Sequence, residues 1–152
     1  MDLDTFRWLL TDDGQQLLAD AARVLAEHPD DPVAAASGLR AAVPSATPER
    51  SAAALTQANL RRRGAEKFGT DAARMYFTPD GLEQSTRTRV ADHRAARLVA
   101  AQVGSVADLG CGIGGDLVAF ARAGLTAAGI EQDPVRVAIA RPTSPPSGSG
   151  AR

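Results

Sequence analysis

The residues best suited to hold a ligand lie together in VADLGCGIGGD, Val106 to Asp116, and at the end of the following LTAAGIE. Asp108 stands just before a run of glycines, Gly110, Gly112, Gly114 and Gly115, and Glu131 follows downstream. Glycines at a strand-to-helix bend admit positive φ and let a ligand come close to the backbone. A carboxylate beside such a bend favours a guest that carries positive charge.

The glycines satisfy G-x-G-x-x-G, and by spacing alone NAD or FAD would suit them. Asp108 decides against a dinucleotide. A pyrophosphate at this turn would meet the carboxylate with a repulsion of about 1 to 4 kcal/mol at roughly 4 Å, depending on the local dielectric. S-adenosylmethionine instead brings a sulfonium and an ammonium. Glu131, placed to accept hydrogen bonds from ribose hydroxyls, suits either adenosine cofactor. Cys111 is read as the small residue this bend needs, not as a nucleophile, since no histidine is placed in sequence to activate it. Asp116 suits the first turn of a helix, where a carboxylate is favourable.

The flanking elements follow from local signals. DDGQQLLADAARVLAE has apolar residues at helical spacing, with Asp12 or Asp13 as N-cap. DPVAAASGLRAAVP is a second helix with Asp31 as cap and Pro32 at its first position, and TPERSAAALTQANLRRRGAEKF a third, ending near Gly69. A further helical segment starts at Thr78-Pro79, and its Val90, Ala95, Leu98 and Val99 are expected to face a sheet. Val106 to Leu109 reads as a buried strand, GGDLVAFARAG as a helix, LTAAGIE as a second strand and QDPVRVAIA as a helix capped by Asp133. Strand, glycine loop, helix, strand, acid, helix opens a doubly wound α/β domain.

The expected fold is therefore α/β: a helical N-terminal module over 1–75, the first βαβ part of a Rossmann-like domain over 76–140, and a disordered tail over 141–152, whose RPTSPPSGSGAR has no apolar period. An alternating domain that stops after its second strand is expected to be incomplete, with sheet edges open to self-association.

Composition bounds the rest. The 152 residues are 44% hydrophobic and 23% charged with a net charge of −1, the balance of a globular domain, and only 4% aromatic, which predicts a thin core. One cysteine and two separated histidines give no metal-ligand spacing. The acidic N-terminus and the lack of any long apolar run predict a cytoplasmic protein with no membrane partner. RRRGAEK and STRTRVADHRAAR make the middle basic, a charge that permits RNA as a partner. His93 reads as a surface residue, and Tyr76 and Phe77 as core packing in preference to base stacking.

VADLGCGIGGD with GIEQDPVRVAIA resembles motif I and the acidic strand end of class I S-adenosylmethionine-dependent methyltransferases. MYFTPDGLEQSTRTRVADHRAARL is similar to the segment before motif I in bacterial methyltransferases with a THUMP-like C-terminal domain, and more distantly to trimethylguanosine synthases. The resemblance covers roughly 55–140. It implies that Asp108, Gly110, Gly112 and Gly114, with Cys111 in the same loop, surround the methionine part of S-adenosylmethionine. It further implies that Glu131 holds the ribose, that the Thr78 region folds over the site, and that the acceptor is RNA or another nucleic acid. It supplies no catalytic residue, because the family's substrate-pocket motif would lie beyond this chain, as would the THUMP-like domain. Two alternatives stay open: a non-catalytic, truncated cofactor-binding remnant, and an NAD-binding oxidoreductase domain.

Overall fold

A computed structural model describes residues 1–143. The chain divides into two compact units, the first ending at Arg62 and the second beginning at Arg63. The division falls inside a helix, not at the residue 75 boundary expected from the change in sequence character.

The first unit contains α1 (Leu3–Leu9), α2 (Asp12–Glu27), α3 (Pro32–Ala42) and most of α4 (Pro48–Phe68). α1 was not expected. Asp2 caps it by accepting from the Thr5 N–H at 2.8 Å, and its Phe6 and Leu9 are wholly buried. The cap of α2 is Thr11, whose hydroxyl accepts from the Gly14 N–H, so Asp12 and Asp13 fall in the first turn instead. The hydroxyl precedes the helix with extended backbone geometry, which is what an N-cap requires. Gly14 is needed for the corner itself: a Cβ there would lie 2.4 Å from the Trp8 carbonyl oxygen. Asp31 caps α3 as expected, accepting from Val33 and Ala34.

The second unit carries the end of α4, a 3-10 turn over Gly69–Ala73, α5 (Pro79–Gln84), α6 (Thr88–Ala100), β1 (Ser105–Leu109), α7 (Gly115–Arg122), β2 (Thr126–Ile130) and α8 (Pro134–Thr143). The long segment after Thr78 is two helices, separated by extended backbone at Ser85 and Arg87. Lys67 explains the break. Its ammonium donates to the carbonyls of Leu82 at 2.5 Å, Glu83 at 2.7 Å and Ser85 at 3.4 Å, satisfying the C-terminal oxygens of α5. Phe68 and Phe77 pack ring to ring at 5.7 Å, and both are buried, as is Tyr76.

β1 and β2 form a parallel pair in register Ser105↔Thr126 to Leu109↔Ile130, connected through α7. The described residues are thus mostly helical with a small two-stranded parallel sheet, an α/β arrangement. One face of the sheet packs on helices: Val106 and Ala127 lie against Ala91 and Ala95 of α6 and Leu117, Ala119 and Phe120 of α7. The other face is open, so the expectation of a buried β1 fails. Ala107 and Ala128 are exposed, Leu109 is 76% exposed and Ile130 57%. Successive strand residues point to opposite faces, and only the face of Val106 and Ala127 has helices packed on it. The phase of α6 is set by Ala91, Ala95 and Leu98, which leaves Val90 and Val99 about half exposed instead of on the sheet.

α8 reaches Thr143, three residues into the stretch expected to be disordered; the remainder of that stretch lies outside the described residues. No helix among the described residues is long and apolar enough to cross a membrane.

Candidate functional site

The glycine loop is built between the end of β1 and the start of α7. Gly110, Gly112 and Gly114 all have positive φ, at 84°, 56° and 83°. Three left-handed residues in so short a span reverse the chain tightly, and side chains there would be strained.

Hydrogen bonds lock the loop. The N–H groups of Gly110 and Cys111 donate to the Ile130 carbonyl at 2.7 and 3.1 Å, joining the loop to the end of β2. The Gly112 N–H donates to the Glu131 carboxylate at 3.0 Å, and the Gly114 N–H to the Cys111 carbonyl at 2.9 Å. Glu131 also accepts from Gln132 and Asp133 at 2.8 and 3.1 Å. Those amides, led by that of Asp133, hold its carboxyl below the ordinary range, against a smaller opposing effect of burial.

A cavity of about 200 Å3 opens beside the loop. Asp108, Gly110, Cys111, Gly112, Ile113, Gly115 and Asp116 form one side, Gly81, Gln84, Ser85 and Thr86 another, and Arg136 of α8 completes the lining. Complete small-molecule pockets run to about 300 to 1,000 Å3, so this space fits part of a cofactor-sized molecule. Burial raises the Asp108 carboxyl above its ordinary value; the Asp116 charge adds to that and Arg94 opposes it. The Cys111 thiol is also raised, first by burial and then by the charges of Asp108 and Glu131. A thiol so disposed is a poor nucleophile, because the thiolate is the reactive form.

Of the seven residues that the sequence assigned to the cofactor, Asp108, Gly110, Cys111 and Gly112 line the cavity, and three do not. Gly114 is the left-handed N-cap of α7, and a Cβ on it would stand 3.4 Å from that of Ala140. Glu131 acts on the lining through the Gly112 amide. Thr78 caps α5 by accepting from the Gly81 N–H at 3.0 Å. That cap has a consequence for the wall, since Gly81 lies against Ile113 of the loop, where a Cβ would be 2.5 Å from the Ile113 Cγ2.

Asp116 lines the cavity and also holds other groups. It accepts from Thr86 at 3.0 Å and from Arg94 through both oxygens, at 3.0 and 2.9 Å. Sequence reasoning missed Thr86, Arg94 and Arg136: the first two join Asp116 across 30 and 22 residues, and nothing local marks them. Among the described residues no group of histidine, cysteine and acidic side chains is placed to hold a metal ion.

Residues 2–64 match a family model described as a domain of unknown function, DUF8688. Two proteins of Mycobacterium tuberculosis, from strains CDC 1551 / Oshkosh and ATCC 25618 / H37Rv, are each named an uncharacterized S-adenosylmethionine-dependent methyltransferase. Each is 42% identical to this chain over 87 residues, 54% of this chain and 24% of the relative. The match thus spans about a quarter of each curated relative's length. No solved structure matches the chain.

Proposed function

We propose that the second unit is the opening βαβ part of a Rossmann-like class I methyltransferase domain and binds S-adenosylmethionine at the glycine loop. One observation carries the reading: the cavity beside the loop is lined by the Asp108 carboxylate, while four loop amides are already engaged within the protein. Gly110, Cys111, Gly112 and Gly114 donate to Ile130, Glu131 and Cys111. A diphosphate needs such amides and repels carboxylates, whereas a sulfonium or ammonium needs the carboxylate. The printed names of the two relatives support the same cofactor.

S-adenosylmethionine supplies an activated methyl group on a sulfonium; the protein's share is binding and orientation. In this reading Asp108 attracts the cationic methionine part, and the glycines let it approach the backbone. Glu131 fixes the loop through Gly112 and offers its carboxylate edge to the ribose, and Gln84 to Thr86 close the side of the cavity. Among the described residues no general base is identified.

RNA or another nucleic acid is the proposed acceptor. Within the basic middle of the chain the support lies on α6. Lys67 is engaged with α5, Arg63 pairs with Glu83 and Arg62 donates to the Pro29 carbonyl, so RRRGAEK is largely occupied. Arg89, His93 and Arg97 are exposed at successive i, i+4 positions of α6, with exposed Arg87 just before them. The three arginines of this row suit phosphates.

Calorimetric titration of the purified chain with S-adenosylmethionine and, separately, with NAD tests the cofactor. Heat of binding with the first and none with the second is expected; saturable binding of NAD alone would overturn the reading.

A further inference from the structure

The connector between α5 and α6 forms a wall of the cavity, and one carboxylate ties it to the helix that follows the glycine loop. Ser85 and Arg87 are extended, and Gln84, Ser85 and Thr86 line the space. The connector is held at two places. Behind it, Lys67 donates to Leu82, Glu83 and Ser85 carbonyls, and the Thr88 hydroxyl donates to the Lys67 carbonyl at 2.8 Å. In front, the Thr86 hydroxyl donates to Asp116, the second residue of α7. Arg94 of α6 then donates to both oxygens of the same carboxylate. Three elements therefore meet on one side chain: the connector, α6 and the helix that starts at the glycine loop.

We infer that Asp116 is a positioning residue: held by Thr86 and Arg94, it fastens the 84–86 connector to the helix that follows the glycine loop and so fixes a wall of the cavity that Asp108 also lines. This deepens the cofactor reading and rests on it for its functional meaning, although the fastening itself is a property of the free chain.

The chemistry divides the work between two carboxylates. Asp116 already accepts from a guanidinium and a hydroxyl, so Asp108 is the carboxylate better disposed to meet a cationic guest. Arg94 has a second effect. Lying near both acids, it offsets the repulsion that Asp116 exerts on Asp108. The other ionisable groups around the cavity are Cys111 in the loop, Glu131 after β2 and Arg136 of α8; Gln84 on the α5 side is neutral.

Two variants test this, with two measurements on the whole chain. Thr86→Val keeps the side-chain shape and removes the donor; Arg94→Ala leaves the Asp116 charge without its cation. Backbone hydrogen exchange of the free protein reads the fastening without any ligand. Both variants should speed exchange over 84–88, while β1 and β2 keep wild-type rates. Calorimetry with S-adenosylmethionine at stepped pH, from the ordinary carboxyl value of 3.8 upward, reads the consequence. Thr86→Val should weaken binding about three- to tenfold at every pH, less than a full hydrogen bond to a charged group contributes, because the lost bond holds the wall and does not touch the guest. Arg94→Ala should also move the pH at which affinity falls off upward, and Arg94→Lys should return it toward the wild-type value. Unchanged exchange in both variants overturns the inference, whatever the affinities. Faster exchange with wild-type affinity would show a fastening with no bearing on the site, and overturns the positioning role. If the wild-type chain binds no S-adenosylmethionine, the cofactor reading fails, and the exchange result still decides whether Asp116 holds the connector.

Discussion

Replacing Asp108 by asparagine lowers the affinity for S-adenosylmethionine about 10- to 100-fold at pH 7, the equivalent of one charge-assisted interaction of about 1.5 to 3 kcal/mol. The same change leaves the thermal midpoint of the free chain unchanged or slightly higher. The two outcomes have opposite signs because of how the group is held. Burial raises the carboxyl of Asp108, with the Asp116 charge adding to it, so the folded chain disfavours the ionised form. Folding takes up a proton between the ordinary carboxyl value of 3.8 and the raised one. The group's contribution to stability therefore declines as pH rises through that window. Its attraction for a cation does the reverse, being absent at low pH and complete above the raised value. Wild-type affinity should fall on acidification through the window, and that of Asp108→Asn should stay nearly flat. Calorimetry at stepped pH, with thermal melts of the free chain at each pH, measures both. A flat wild-type profile, or an unchanged affinity in the variant, would mean that Asp108 does not meet the cation.

Gly129→Val is expected to cost about 3 kcal/mol of folding stability, at the upper end of what overpacking a tight site usually costs. Gly129 is the next-to-last residue of β2, where a Cβ would stand 2.6 Å from the Cys111 sulfur and 2.7 Å from the Leu117 Cδ1. The loop and α7 thus press on the backbone of the strand, and any side chain there must push one of them away. Urea unfolding should show a lower midpoint with an unchanged slope. Gly129→Ala should cost less, and adding Cys111→Ala should restore only part of the loss, because the Leu117 conflict remains. A wild-type midpoint in Gly129→Val would mean that the loop yields freely, contrary to its network of amide bonds.

What could be read from the sequence was what neighbouring residues decide. Asp31-Pro32, Thr47-Pro48, Thr78-Pro79 and Asp133-Pro134 each announce a helix, because a capping side chain and a proline act within one turn, and each starts a helix in the structure. The glycine bend was legible for the same reason. Thr11 was passed over for its acidic neighbours, since three candidate caps in a row differ only in where the chain bends. The open face of the sheet was not legible, because Val106 and Ala107 are alike in sequence and differ only in whether a helix lies on their side. Nor was the wall of the site. Lys67 belongs to the basic RRRGAEK, whose charge permits a nucleic acid, yet its partners are carbonyls 15 to 18 residues away, and Thr86 meets Asp116 across 30.

The outward face of the two strands, with Leu109 and Ile130 in water, alters the thermal behaviour of the fold. Hydrating apolar surface is what raises the heat capacity on unfolding, to about 12 to 15 cal/mol/K per residue in ordinary domains. Side chains already hydrated in the native state add little to that increment. The stability curve is therefore flatter than the chain length alone would give, with a weaker fall toward low temperature.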